Sequence, residues 1–339
     1  MSYPLREPPP EEPTTTPESV FTNDPGLRPW WRLLLYLAIV LTPWLLMSLA
    51  EHLGGAAGRP AAIQELSPMI EGIGEWVQFG YVFFATWIMS RIEDRDVLDY
   101  GLQPSRSAAR SLLVGAGWGL LCMSVLIVTL WSTHHLVFAG LLQHGAGAVL
   151  NGVAWAFALL AVALFEEFFF RGYILYIVTL CCADLLRRRF KRNATADAAA
   201  FWCAAVVISV TFGFVHFSNP GESAIGLTCA GLAGLVFAFT LWRTGSLWWA
   251  IGFHAAWDWA QSFLFGVADS GGVSAGRLLS SHPQGSVLTS GGSTGPEGSL
   301  FILPIMLLIT LIVITTLPRS RTSVLPWPHM EKDLAPEVD

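Results

Sequence analysis

A few ionisable side chains lie inside otherwise uncharged apolar runs of this 339-residue chain. A charge inside a spanning helix costs about 2.5–3.5 kcal/mol on insertion scales, so each needs a reason to be there. In Phe165-Glu166-Glu167-Phe168-Phe169-Phe170-Arg171 two adjacent carboxylates precede an arginine. On a helix Glu167 and Arg171, at i and i+4, face each other as an ion pair. Glu166, rotated by about 100°, stays free of that pair. His216 closes the run Thr211-Phe212-Gly213-Phe214-Val215, with Phe212 one turn back as a packed wall. His254 and Asp258 again stand at i and i+4. Glu71 and Glu75 share a face near the outer end of the second apolar run, 69–90, and read as a water-facing edge. Each group alone has a bland role: an ion cluster at a helix end, a hydrogen-bonded interfacial histidine, a polar pair bridging helices. Jointly, a glutamate, two histidines and an aspartate from three helices can meet only in a buried or water-filled cavity. There a carboxylate beside a neutral imidazole can deprotonate water, and a His-Asp pair can hold or polarise a carbonyl oxygen.

The elements that must position these groups are spanning helices. Hydrophobic residues make up 53% of the chain and charged residues 13%, and the mean hydropathy is +0.53. That leaves too few polar side chains to cover a soluble globule of this size. Apolar runs near 31–50, 69–90, 110–131, 148–169, 198–217, 223–242, 247–265 and 300–318 predict eight transmembrane helices, an all-α polytopic membrane protein. With both termini cytoplasmic, the inner segments hold 16 of the 19 Lys and Arg residues, including Arg187, Arg188, Arg189, Lys191 and Arg192. That asymmetry follows the positive-inside rule. Residues 30–318 then form one membrane domain between a disordered, proline-rich tail (1–29) and a polar C-terminal tail (319–339). The segment 266–299, with Gly or Ser at 17 of 34 positions, predicts a flexible, unstructured loop. Apolar character resumes after Arg171 and runs to about Leu186, so the fourth helix is expected to exceed the bilayer thickness. Such a helix is needed if Glu166, far along its own run, is to meet His216 at the end of another. The apolar stretch 132–147 could be interfacial. A net charge of −6 without a basic domain excludes nucleic-acid binding. The five cysteines lie in apolar stretches as small core residues rather than as a disulfide framework. An arginine-rich, lysine-poor composition points to a bacterial source, hence the inner membrane.

Glu166-Glu167-x-x-x-Arg171, Phe212-x-x-x-His216 and His254-x-x-x-Asp258 resemble, in order, spacing and membrane placement, the three motifs of the CAAX protease and bacteriocin-processing (CPBP, or Abi) family. The resemblance implies a metal-independent, cofactor-free intramembrane glutamic endopeptidase. Glu166 with His216 would activate the attacking water, Glu167 and Arg171 would shape the site, and His254 with residue 258 would stabilise the oxyanion. Many members carry asparagine at this last position. Asp258 could donate there only when protonated; otherwise it would orient His254 and fix its tautomer. The implied partners are the bilayer and a membrane-associated peptide or protein substrate. Three other classes compete. A transporter or proton relay would use the same residues, but no inverted repeat or paired broken helices are evident. A zinc-dependent membrane protease would lack the His-Glu-x-x-His spacing. An inactive homologue would serve as an immunity factor or scaffold.

Overall fold

A computed structural model describes residues 22–23, 26–53, 65–187, 193–219, 221–319, 325–327 and 330. Each of the eight apolar runs contains helix. Helices α1 (Pro29–Leu53), α2 (Pro68–Ile92) and α3 (Arg106–Ser132) come first. Helix α4 (Gly145–Glu166) passes without a break through a π-helix (Glu167–Ile174) into α5 (Leu175–Arg187). Then follow α6 (Ala194–Val215), α7 (Ala224–Thr244) and α8 (Trp248–Trp259), the last extended by a second π-helix, Ala260–Leu264. A single turn, α9 (Val287–Ser290), precedes α10 (Ile302–Thr316). Among the described residues four helices are long and apolar enough to cross a membrane: Arg106–Ser132, Gly145–Leu186, Ala194–Ser218 and Ala224–Thr244.

Local chemistry sets the helix starts. Ser105, Asn193 and Ser223 accept bonds from the backbone N–H of Ala108, Ala196 and Gly226 at 3.0, 2.9 and 3.1 Å. These caps satisfy donors that the first turn leaves open. The Gly145–Leu186 rod has 42 residues, roughly 60 Å at 1.5 Å per residue, about twice the hydrocarbon thickness. Glu166 therefore sits at mid-length of this rod, and the expected overlong fourth helix is observed. Helices α3 and α8 approach through glycine: a Cβ on Gly115 or Gly119 would lie 2.1 or 2.2 Å from the carbonyl oxygen of Trp249 or Phe253. A Cβ on Gly252 would lie 2.0 Å from that of Leu112. Small residues at such positions let backbones meet where no hydrophobic effect drives helices together.

Four expectations need correction. The segment 266–299 is built, not unstructured. Leu279–Pro283 pairs antiparallel with Leu136–Leu141, the stretch read as interfacial, and Val273–Ser274 pairs with Glu65–Leu66. Ser274, Ser281, Ser290, Thr294 and Ser299 are buried. Its glycines serve tight turns: Gly291 and Gly295 have φ of 83° and 99°, and a Cβ there would meet the Gly295 and Ala268 carbonyl oxygens at 1.8 and 2.0 Å. Glycine is the residue that supplies such a backbone. These pairings also add a short β-ribbon to the all-α expectation. The C-terminal segment is not wholly a surface tail: Leu325, Trp327 and Met330 are buried, and the Trp327 ring lies 5.5 and 5.9 Å from those of Tyr176 and Phe201. The N-terminal tail is not disordered throughout either: Thr22–Asn23 pairs antiparallel with Gly26–Leu27, whose Leu27 carbonyl accepts from Arg32 Nε at 2.7 Å. Most other tail residues, and the basic cluster at 188–192, fall outside the described residues.

Gly295→Ala is expected to cost about 1–3 kcal/mol, from backbone strain at positive φ and collision with Ala268, read as a lower Tm of the detergent-purified protein. Gly117→Ala, whose Cβ meets nothing within 4 Å, should be neutral or slightly stabilising.

Candidate active site

Glu166 closes α4 and Glu167 opens the π-helix, a widened turn of the kind that recurs at functional sites. The two carboxylates diverge there. The Glu167 side chain is fully buried and receives Nη1 of Arg171 at 3.0 Å; the Glu166 side chain retains 21% exposure. Arg171, 1% exposed, places its guanidinium 3.9 Å from the centroid of the Phe212 ring, with Phe237 at 5.7 Å. Desolvated cation–π contacts of this kind contribute about 2 kcal/mol or more. Gly234 leaves room for the guanidinium, since a Cβ there would stand 2.7 Å from Nη2.

Phe212 also serves His216. Its carbonyl oxygen lies 2.7 Å from Nδ1, and because a carbonyl only accepts, Nδ1 carries the proton. In the neutral ring Nε2 is then the basic nitrogen. The Phe212 ring meets the imidazole edge-on at 4.9 Å. His254 is held differently. Its Nδ1 lies 3.0 Å from Oε1 of Glu167, and its Nε2 lies 3.4 Å from Asp258 and 3.7 Å from Glu166. The imidazole stacks on Phe237 with centroids 5.8 Å apart.

Glu166, Phe212, His216, His254 and Asp258 all line one cavity of about 500 Å³. Glu167 and Arg171 lie behind its wall. The direct contact of Glu166 is with His254, not with its expected partner His216. The helix arrangement accounts for this: α4 packs on α8, whereas α6 meets the rod mainly at α5, further along it. Glu167, not Asp258, holds the Nδ1 of His254. Among the described residues no three His, Cys, Asp or Glu side chains are arranged to hold a metal ion.

The cavity also contains carboxyls that the sequence did not assign to the site. Glu71 and Glu75, read as a water-facing edge, line it, as do Glu222, Asp269 and Glu297. Asp269 accepts from Ser262 at 2.7 Å and Glu297 from Trp257 Nε1 at 2.7 Å. Loop carboxylates carry no insertion cost, so nothing in the sequence marked these three. Burial raises the Asp269 carboxyl above its usual range, opposed by the Ser262 bond. Burial, with Asp269 nearby, pushes Glu297 up to about 8. A carboxyl raised on folding binds more protons in the native than in the unfolded state, so its contribution to stability falls as pH rises from the ordinary carboxylate range through about 8. Glu297→Gln keeps an acceptor for Trp257 and removes this titration. Its Tm relative to wild type should rise between pH 5 and pH 8 and then level off.

No match to the chain was found among curated proteins or among solved structures. Residues 148–260, which run from α4 through α8 and carry all three motifs, match the family model described as type II CAAX prenyl endopeptidase Rce1-like. Over this segment, a third of its length, the chain is similar to the Rce1-like CAAX endopeptidases, a family of peptide hydrolases.

Proposed function

We propose that the protein is a multi-pass intramembrane glutamic endopeptidase that needs no metal and cleaves a membrane-associated peptide or protein. In this reading eight helices span a bacterial inner membrane, with both termini in the cytoplasm. The observation that carries the mechanism is the shared cavity. It presents the exposed carboxylate of Glu166 and a histidine whose Nδ1 is already committed to a backbone carbonyl.

Water held between Glu166 and Nε2 of His216 loses a proton to this pair as its oxygen attacks the scissile carbonyl. The new C–O bond converts that carbonyl oxygen into an oxyanion, which is met by donors from His254 and residue 258. Collapse of the tetrahedral intermediate breaks the C–N bond, and the stored proton passes to the departing nitrogen. Glu167 and Arg171 position these groups without touching substrate: Glu167 orients His254 through Nδ1, and Arg171 balances its charge. Since Glu167 serves His254 in this way, Asp258 is free to act as a protonated oxyanion donor, the role an asparagine would fill.

The test is hydrolysis of a peptide library by detergent-purified protein, with and without a zinc chelator. Chelator-insensitive cleavage is expected, reduced at least 100-fold by Glu166→Ala or His216→Ala. Cleavage abolished by chelator, or retained in Glu166→Ala, would overturn the mechanism. Asp258→Asn should stay within about tenfold of wild type, while Asp258→Ala loses about 100-fold or more. Complete loss in Asp258→Asn would assign Asp258 an ionised role. Arg171→Ala leaves Glu167 buried and unpaired, a loss of about 3–5 kcal/mol, to be seen as a lowered Tm before any kinetic effect.

A further inference from the structure

Carboxyl groups outnumber every other ionisable side chain in the cavity. Besides the carboxyls of Glu166 and Asp258 and the imidazoles of His216 and His254, it is lined by Glu71, Glu75, Glu222, Asp269 and Glu297, and, among the described residues, by no lysine or arginine. The hydrogen-bond partners of the last three are neutral: the backbone N–H of Ser223, the Ser262 hydroxyl and the Trp257 indole. Asp269 and Glu297 belong to the ordered segment 266–299, which lies outside the residues matched to the endopeptidase family. That segment is fastened on the site side as well: Trp155 of α4 donates to the Ala275 carbonyl at 2.9 Å, and Gln261 donates to that of Ala268 at 2.9 Å. Its carboxylates are therefore held in place against the reacting groups.

A concave, low-dielectric site lined by one sign of charge concentrates ligands of the other sign, and like charges brought together at an interface are penalised. Among the described residues no three of the carboxyls are arranged to hold a metal ion. A volume of about 500 Å³ falls in the range of sites that enclose small organic ligands. The matching occupant is an extended segment with a cationic side chain, not a single ion.

We infer that Asp269 and Glu297 are specificity-determining residues that select a peptide segment bearing lysine or arginine near the scissile bond and disfavour one that brings a free C-terminal carboxylate into the cavity. This rests on the peptidase reading for its meaning, but binding alone tests it. Four dye-labelled peptides of one otherwise neutral sequence are titrated at pH 9, where Glu297 is ionised and lysine is still charged, into full-length Glu166→Gln protein in detergent. Three have blocked termini and carry Lys, Gln or Glu at the central position; the fourth carries Gln and a free C-terminal carboxylate.

The lysine peptide should bind at least about tenfold more tightly than the glutamine peptide, and the two acidic peptides more weakly than either. Raising salt from 50 to 500 mM should compress this order. In the Asp269→Asn/Glu297→Gln double variant the lysine advantage should shrink to within about twofold. Equal affinities, no measurable binding of the lysine peptide, or an advantage that survives in a folded double variant would overturn the inference. If the double variant does not fold, the peptide order and its salt dependence on the unaltered segment decide the matter. Wild-type cleavage of the same peptides separates the two claims. Charge-selective binding without cleavage would defeat the peptidase reading alone, and cleavage without charge selectivity would defeat this inference alone.

Discussion

A guanidinium buried in an apolar bundle must be matched in charge and held by contacts on every side, and Arg171 imposes that condition on its surroundings. Glu167 supplies the counter-charge at 3.0 Å, Phe212 supplies a ring face on α6, and α7 supplies the gap at Gly234. Removing either charge would leave the other stranded, which is far costlier than replacing both. The same Glu167 oxygen that faces Arg171 also faces His254. One buried carboxylate thus ties the long rod to α8, and the arginine ties the rod to α6. The relative placement of the two histidines follows from these ties.

Backbone geometry makes the arrangement possible. The π-helix begins at Glu167, so adjacent glutamates serve different surroundings, one buried and one open to the cavity. A second π-helix begins two residues after Asp258, and both interruptions lie beside site carboxyls. Glycines on α3 and α8 bring those helices to backbone contact, fixing the depth of His254 without demanding an interlocking set of large side chains.

Helix positions were legible in the sequence because a run of about 20 apolar residues has few alternatives in a membrane. The Glu167–Arg171 pair was legible because i,i+4 geometry is local. Groups whose placement depends on tertiary packing were not. The contact of His254 with Glu167 joins residues 87 positions apart, and no periodicity encodes it. Glu71 and Glu75 looked like an edge because their shared face was evident but its neighbour was not. Glycine and serine in 266–299 suggested flexibility by composition, yet they serve turns whose need appears only when Gly295 is seen against Ala268. Trp327 misled for a similar reason: one aromatic in a proline-rich stretch has no pattern from which its docking against Tyr176 and Phe201 could be read.

The docking of Trp327 bears on the order in which the protein is made. Synthesis runs from the N-terminus at about 5–20 residues per second, so every helix from α1 to α10 leaves the ribosome before this tryptophan. Tyr176, on the rod, already packs against Tyr100, and Phe201, on α6, against Trp242, before residue 327 arrives to sit against both. A segment made after every one of these helices thus adds a contact shared by the rod that carries Glu166 and the helix that leads to His216.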